Sequence, residues 1–101
     1  MPAQSAQPTT LEEIKTFVYQ TLCDHEQLEV GIFPMTEKLL VRQDSPCGIY
    51  FCLHGPRSVK FTAIWENRTN TILFYGSNGE RFEKTQLSSS AKIALENVTL
   101  D

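Results

Sequence analysis

The chain has 101 residues and a formal net charge of −3. That length supports one domain, because a second independent core needs roughly 50 residues of its own. With 41% hydrophobic and 21% charged residues, the composition excludes a disordered chain and a scaffold held by disulfides. The negative charge argues against a nucleic-acid-binding protein, because such proteins collect phosphates with a positive field.

The start of the chain and its cysteines predict where the protein works. Residues 1–9 are polar, contain two prolines and no basic segment followed by an apolar one, so we expect a flexible tail and no secretory signal. No apolar stretch reaches the roughly 18 residues of a membrane span. An odd cysteine count favours reduced thiols. We therefore predict a cytoplasmic protein without disulfides or membrane contact. The three cysteines are Cys23, Cys47 and Cys52.

A helix is predicted over about residues 10 to 28. Two overlapping capping boxes of the Thr-x-x-Glu type begin at Thr9 and Thr10, and this spacing satisfies the free N–H groups of a first helical turn. Gly31 and Pro34 lie after this segment and are expected to end the helix. Within the segment, apolar residues recur every three or four positions, which predicts one buried face. That face comprises Leu11, Ile14, Val18 and Leu22.

From Met35 onward the apolar period changes to two, and turn-forming residues recur about every ten to twelve positions. The fold class predicted is therefore α+β, with the N-terminal helix packed on a five-stranded, mainly antiparallel β-meander in a single domain of residues 10–87. Residues 88–101 are expected to form a short C-terminal helix or a tail. The five strands are predicted at about residues 36–43, 48–53, 57–66, 71–75 and 80–87.

Both faces of the central strands are apolar, whereas one helix covers only one face of a sheet. We therefore expect the second face to be covered rather than solvated, because its side chains would otherwise form a large exposed apolar patch. Three covers are open: residues 88–101, a second copy of the chain in a homodimer, or a different partner. The side chains of this second face are Tyr50, Cys52, Ile64, Leu73 and Tyr75.

Two Cys-x-His pairs invite a zinc interpretation, since thiolate and imidazole are preferred zinc ligands. Cys52 and His54 would point the same way on a strand, but Cys23 and His25 are about 200° apart on a helix. Neither spacing matches the paired cysteines of structural zinc sites. We predict no metal and no cofactor. The sequence also contains no phosphate-binding glycine loop and no nucleophile motif, which favours a non-catalytic protein over an enzyme.

The segment His54-Gly55-Pro56-Arg57 gathers an imidazole and a guanidinium at one tip between two strands. Loop tips are where binding groups tend to lie, and arginine suits carboxylate or phosphate. The leading hypothesis is a small binding or regulatory module of unknown specific function, acting through protein partners or self-association on the second sheet face. The alternative is a small-ligand domain or enzyme with its site near the tip. Candidate binding residues are Cys52, His54, Arg57, Trp65 and Arg81.

Overall fold

A computed structural model describes Pro8 and residues 10–87 of the chain. It confirms the predicted α+β fold, with one N-terminal helix packed on a five-stranded antiparallel sheet. The expectations for the rest of the N-terminal tail and for residues 88–101 lie outside the described part. No helix within that part has the length and hydropathy to cross a membrane. The elements are α1 (Leu11–Glu26), β1 (Met35–Arg42), β2 (Ser45–His54), a 3-10 turn (Pro56–Ser58), β3 (Lys60–Glu66), β4 (Thr71–Tyr75) and β5 (Arg81–Gln86).

Helix α1 begins at a capping threonine, as its sequence predicts. The Thr10 hydroxyl accepts a hydrogen bond from the Glu13 backbone N–H at 3.1 Å, which satisfies one free donor of the first turn. The helix ends at Glu26, two residues before the predicted limit, because Gln27 adopts a left-handed backbone with φ 57°. Its N–H donates to the Asp24 carbonyl, so a glutamine closes the helix where glycine is the usual residue.

Gly31 has a different role from the predicted one. It lies in the loop between α1 and β1 with φ 94°, and its N–H donates to the Tyr19 hydroxyl at 2.9 Å. That hydroxyl donates in turn to the Phe33 carbonyl at 2.7 Å. One tyrosine of the helix thereby bonds to the backbone of the loop at two points shortly before β1 begins.

In the sheet, the order of strands is the order in the chain, and each strand is antiparallel to the next. Two boundaries differ from the prediction by three residues, and the others agree with it to within one residue. β2 begins at Ser45 instead of residue 48, and β3 begins at Lys60 instead of residue 57, because residues 56–58 form the 3-10 turn. The register also shifts within two pairs. Cys47 is the extra residue in β2 and Phe82 the extra residue in β5, and each is a β-bulge.

The side of the sheet that faces α1, here called the core face, carries the hydrophobic core. Ile14, Val18 and Leu22 of the helix are fully buried against it, as their spacing predicts, and Leu11 packs at its margin. Burial of this kind contributes roughly 1.5 to 3 kcal/mol for each large apolar side chain. The buried residues of the core face are Ile49, Phe51, Leu53, Phe61, Ala63, Trp65, Ile72 and Phe74.

A salt bridge joins the helix to the edge of the sheet. The Lys15 ammonium lies 3.0 Å from a carboxylate oxygen of Glu37 on β1 and 3.5 Å from Glu12 one turn earlier in the helix. The hydrogen bond to Glu37 is the main reason why the pKa of Lys15 is raised above its ordinary value. Helix and edge strand are therefore held together by charge as well as by apolar packing.

Candidate functional site

The side of the sheet opposite α1, here called the outer face, is the candidate site. Strand register aligns one row of side chains on it across all five strands. Tyr50, Ile64 and Leu73 form the apolar middle of this row, and a lysine stands at each end. Directly paired residues of neighbouring strands lie close enough to contact, so the row is one continuous surface. The row reads Lys38, Tyr50, Ile64, Leu73 and Lys84.

Burial differs along the outer face. Cys52 is buried at 7% exposure, whereas Tyr50, Ile64, Leu73 and Tyr75 are partly exposed. The α-helix of the described chain packs on the other side of the sheet. The expected cover of this face by residues 88–101 lies outside the described part, and a cover by another chain stays a prediction. Contiguous apolar surface of this kind typically marks an interaction site.

Charge is segregated between the two sides of the molecule. The outer face carries one carboxylate, Glu66, to which the Thr69 hydroxyl donates at 2.9 Å. None of its cationic side chains forms an ion pair with any described residue. Helix α1 and the following loop carry five carboxylates, in residues 12, 13, 24, 26 and 29, against the single cation Lys15. The outer-face cations are Lys38, Arg42, Lys60, Arg81 and Lys84.

The structure brings together three of the residues predicted as a site. Cys52 and His54 occupy successive positions of β2 on the outer face, and Arg57 follows in the adjoining turn. The His54 ring nitrogen Nε2 lies 3.0 Å from the Thr36 hydroxyl oxygen. Arg81 lies on the same face but on β5, three strand spacings or roughly 14 Å from β2. Arg81 therefore belongs to the surface that contains Cys52, at its opposite edge.

The tip between β2 and β3 has an unusual backbone. Arg57 and Ser58 are both left-handed, with φ 56° and 64°, and the Val59 N–H donates to the Pro56 carbonyl across them at 3.1 Å. Two successive positive φ values define the type I′ turn, in which asparagine and glycine are the preferred residues. An arginine and a serine in these positions carry strain of about 1 kcal/mol or more each. The fold therefore holds the exposed Arg57 in a conformation that its sequence does not favour.

Trp65 lies apart from the candidate residues Cys52, His54 and Arg57. Its side chain is fully buried on the core face, and its indole N–H donates to the Asn70 side-chain oxygen at 3.0 Å. Asn70 is 4% exposed and left-handed, with φ 53°. A buried indole N–H requires an acceptor, and the turn before β4 supplies one. Trp65 thus lies on the opposite side of the sheet from Cys52, His54 and Arg81.

All three thiols are free and differ in exposure. Cys23 and Cys52 are buried, and Cys47 is partly exposed. Burial raises the pKa of the Cys23 thiol, an effect that the nearby Asp24 charge reinforces, so this thiol is a poor nucleophile. Among residues 10–87, no three His, Cys, Asp or Glu side chains are grouped so that they could hold a metal ion.

Sequence reasoning missed a depression in the outer face, here called the Gly48 hollow. Gly48 occupies the outer-face position between Leu40 on β1 and Glu66 on β3. A Cβ atom there would lie 2.3 Å from the Trp65 carbonyl oxygen, so only glycine fits and a gap remains in the side-chain layer. The hollow has a volume of about 230 Å³. A glycine inside a strand often marks a bulge or close backbone approach, and this signal could have located it.

A second depression, here called the end hollow, continues from the first toward the turns that precede β2 and β4. Its volume is about 340 Å³, and the two hollows share Arg42, Cys47 and Glu66. Arg68 and Asn67 complete its wall. The side-chain oxygen of Asn67 is buried and has no hydrogen-bond partner among the described residues. The two depressions therefore adjoin each other at these three shared residues.

Comparison with known proteins adds no family or fold relative. The chain matches no family model, no curated protein and no solved structure. What can be said about function therefore depends on the geometry and charge of the outer face.

Proposed function

We propose that the protein is a non-catalytic module that binds a partner protein through the outer face of its sheet. The observation that carries this proposal is the row in which Tyr50, Ile64 and Leu73 are flanked by lysines that have no ion-pair partner among the described residues. An apolar centre surrounded by a polar, solvated rim is the usual anatomy of a protein interface. Nucleophilic catalysis would instead need a nucleophile and a base held in contact.

Charge identifies the kind of partner. Five cations and one carboxylate on the outer face complement a segment that combines apolar side chains with aspartate or glutamate. A second copy is a less favourable occupant, because face-to-face pairing would bring like charges together. Nucleic acid is a poorer match, because Ile64 and Leu73 are aliphatic and Tyr50 is the one ring in the row on which a base could stack. We therefore propose an acidic, apolar segment of another protein as the occupant, in the cytoplasm and away from membranes.

The alternative of a small-ligand site or enzyme near Cys52, His54 and Arg57 makes a different prediction. A ligand that binds only the native state raises its melting temperature. Small anions such as phosphate and acetate would then stabilise the wild-type chain, and Arg57→Gln would remove the shift. Under the binding-module proposal neither anion stabilises the wild-type chain more than it stabilises this variant.

The proposal is tested by selection from a displayed library of random 16-residue peptides against the full-length protein. We expect the recovered peptides to combine Leu, Ile or Phe with Asp or Glu, and to lose at least ten-fold in affinity for Leu73→Lys. A charge placed against an apolar contact is strongly unfavourable unless it is paired. The matched control is Gln20→Lys, which adds the same charge at an exposed position of α1.

Four results would overturn the proposal. The first is recovery of no peptide, and the second is peptides that bind Leu73→Lys as well as the wild type. The third is tighter peptide binding after Leu95→Lys and Val98→Lys in the full chain, since this would assign the outer face to the chain's own C-terminal segment. A face that selects single-stranded oligonucleotides but no peptides would also contradict it.

A further inference from the structure

The Gly48 hollow interrupts a side-chain layer that is otherwise continuous across the outer face. Gly48 cannot carry a side chain, because a Cβ atom there would lie 2.3 Å from the Trp65 carbonyl oxygen. The bulge at Cys47 keeps this glycine opposite Leu40. The gap is therefore a product of backbone geometry and does not depend on a side-chain rotamer. Its lining comprises Leu40, Arg42, Cys47, Ile64, Trp65, Glu66 and Leu73, and the side chain of Trp65 itself is buried on the core face.

The size and chemistry of the hollow fit one side chain. Pockets for drug-sized molecules are typically about 300 to 1,000 Å³, and the Gly48 hollow, at about 230 Å³, is smaller. Leu40, Ile64 and Leu73 make its walls apolar. Interfaces concentrate their binding energy where an aromatic or large aliphatic anchor fills such a depression. A single Phe, Trp or Leu side chain is the matching occupant.

The rim adds a preference for a carboxylate and for main-chain contact. Arg42 and Arg68 both line the end hollow, and neither forms an ion pair with a described residue. Guanidinium groups bind carboxylates in a bidentate manner. The buried, unpaired oxygen of Asn67 can accept a backbone N–H. Glu66 opposes an acidic group here, but its single carboxylate is outnumbered by the two guanidinium groups that line the same hollow.

From these observations we infer that the Gly48 hollow is the anchor site of the outer face, taking one bulky apolar side chain of the partner while Arg42 binds a neighbouring carboxylate. This inference rests on the proposed function, since it names the partner residue that the outer face selects. The end hollow takes the next residue of the same segment, whose N–H bonds to Asn67. The motif recognised is therefore a large apolar residue next to Asp or Glu.

Cys47 allows the hollow to be tested without any partner protein. Cys47 lines it and is partly exposed, whereas the other two cysteines are buried. The full-length protein is treated with one of two symmetrical disulfides. Both are disulfides of N-acylated cysteamine, and the acyl group is phenylacetyl in one and acetyl in the other. The Cys47 thiolate attacks the disulfide, forming a protein–fragment disulfide and releasing one fragment thiol, and 2-mercaptoethanol reverses the exchange. Intact mass and peptide mapping give the labelled fraction at Cys47.

The quantity compared is the concentration of 2-mercaptoethanol at which half of Cys47 remains labelled. We expect this concentration to be about ten-fold higher for the phenylacetyl fragment than for the acetyl fragment, because the ring is buried in the hollow. Ile64→Phe fills the hollow from its wall and should remove this advantage. A fragment that adds a carboxylate beside the ring should be retained about three-fold more strongly still, and Arg42→Gln should abolish this additional gain. The positional control is Glu83→Cys in a Cys47→Ser chain, which carries the thiol on β5 outside the hollow.

Equal retention of the two fragments at Cys47 overturns the inference, as does the same advantage at the Glu83→Cys position. Persistence of the advantage in Ile64→Phe also contradicts it. These failures are distinct from failure of the proposed function. Peptides that bind the outer face and are lost on Leu73→Lys would still establish a protein-binding module, with its anchor elsewhere on the face.

Discussion

Two neighbouring rows of the sheet, one on each face, show how the two sides differ. The core-face row has Ile49, Trp65 and Ile72 at its centre, all fully buried, and ends in Leu39 and Thr85. The outer-face row is also apolar at its centre but ends in a lysine on each edge strand. Alternation alone therefore does not distinguish a face under a helix from a binding face. The two faces differ in the sign of the charge at their edges, because the core-face row through Phe51 and Phe74 ends in Glu37 and Glu83, whereas the outer-face row ends in lysines.

The largest expected effect is on the free energy of unfolding. It is measured by making the same isoleucine-to-alanine substitution once on each face. Ile72 on the core face is fully buried, and Ile64 beside it on the outer face is partly exposed. Ile72→Ala should lower the free energy of unfolding by about 2 to 5 kcal/mol, because it leaves a cavity in a closed core. Ile64→Ala should cost about 1 kcal/mol or less, since the site is open to solvent.

Urea unfolding of both variants measures this difference. The unfolding slope serves as a control, because a changed slope would indicate an altered denatured state instead of lost packing. Equal losses for the two variants would mean that the outer face is as tightly covered as the core face.

Loss of the hydrogen bond between Trp65 and Asn70 is expected to have the next largest effect on stability. Asn70→Ala leaves the buried indole N–H without its acceptor and places alanine at φ 53°. We expect a loss of about 2 to 3 kcal/mol, from an unpaired buried donor and backbone strain together. Asn70→Gly removes the same acceptor but tolerates the backbone, so it should recover about 1 kcal/mol of that loss. Thermal unfolding followed by tryptophan fluorescence reports both variants, and identical losses would refute the backbone contribution.

Adjacent residues of β5 test the charge difference between the faces. Lys84 points to the outer face, opposite Leu73, whereas Glu83 is opposite Phe74 of the core face. Lys84→Glu should weaken binding of the selected acidic peptides about five- to ten-fold at low salt, and added salt should reduce the effect. Glu83→Lys should change affinity less than two-fold. Fluorescence anisotropy with a labelled peptide gives both values, and equal effects at the two positions would contradict a directional outer face.

The smallest effect is a loss of stability in alkaline solution. The pKa values of Cys23 and Lys15 are both raised, the first by burial and the second by Glu37. Both groups therefore hold their proton more tightly in the folded chain. Their contribution is complete below the ordinary values of 9.0 for the thiol and 10.5 for the amine, and it is lost as pH rises through the raised values.

Urea unfolding between about pH 8 and pH 11 measures this loss, which we expect to be about 1 kcal/mol or less for Lys15. Lys15→Met should flatten the profile at its upper end, and Cys23→Ala should flatten its lower end near pH 9. A profile that is unchanged in both variants would show that other groups cause the alkaline loss.

The parts of the fold that depend on local pattern could be predicted from the sequence. Spacing of three and four placed Ile14, Val18 and Leu22 on the buried side of α1, and the Asn78-Gly79 turn precedes β5 as expected. The helix end and the start of β3 were misplaced. Gln27 and Arg57 adopt left-handed backbones that neither residue type favours, and tertiary contacts decide such positions.

The candidate site was harder to predict because it depends on register. Sequence reasoning identified Cys52, His54 and Arg57, which the structure keeps on one end of the outer face. It could not show that the outer face collects the unpaired cations, since an overall charge of −3 conceals their segregation from the acidic helix. Nor could it place the bulge at Cys47, which sets the position of the hollow beside Gly48.

The order of strands in the sheet has a consequence for folding during synthesis. Because β1 to β5 pair in chain order, each hairpin can close as soon as its second strand leaves the ribosome, and such sequence-local contacts favour rapid folding. Helix α1 is made first, yet its buried face packs on β2 and β3. Its apolar stripe therefore cannot be fully covered until the third strand has been made, which places the complete docking of α1 after the synthesis of β3.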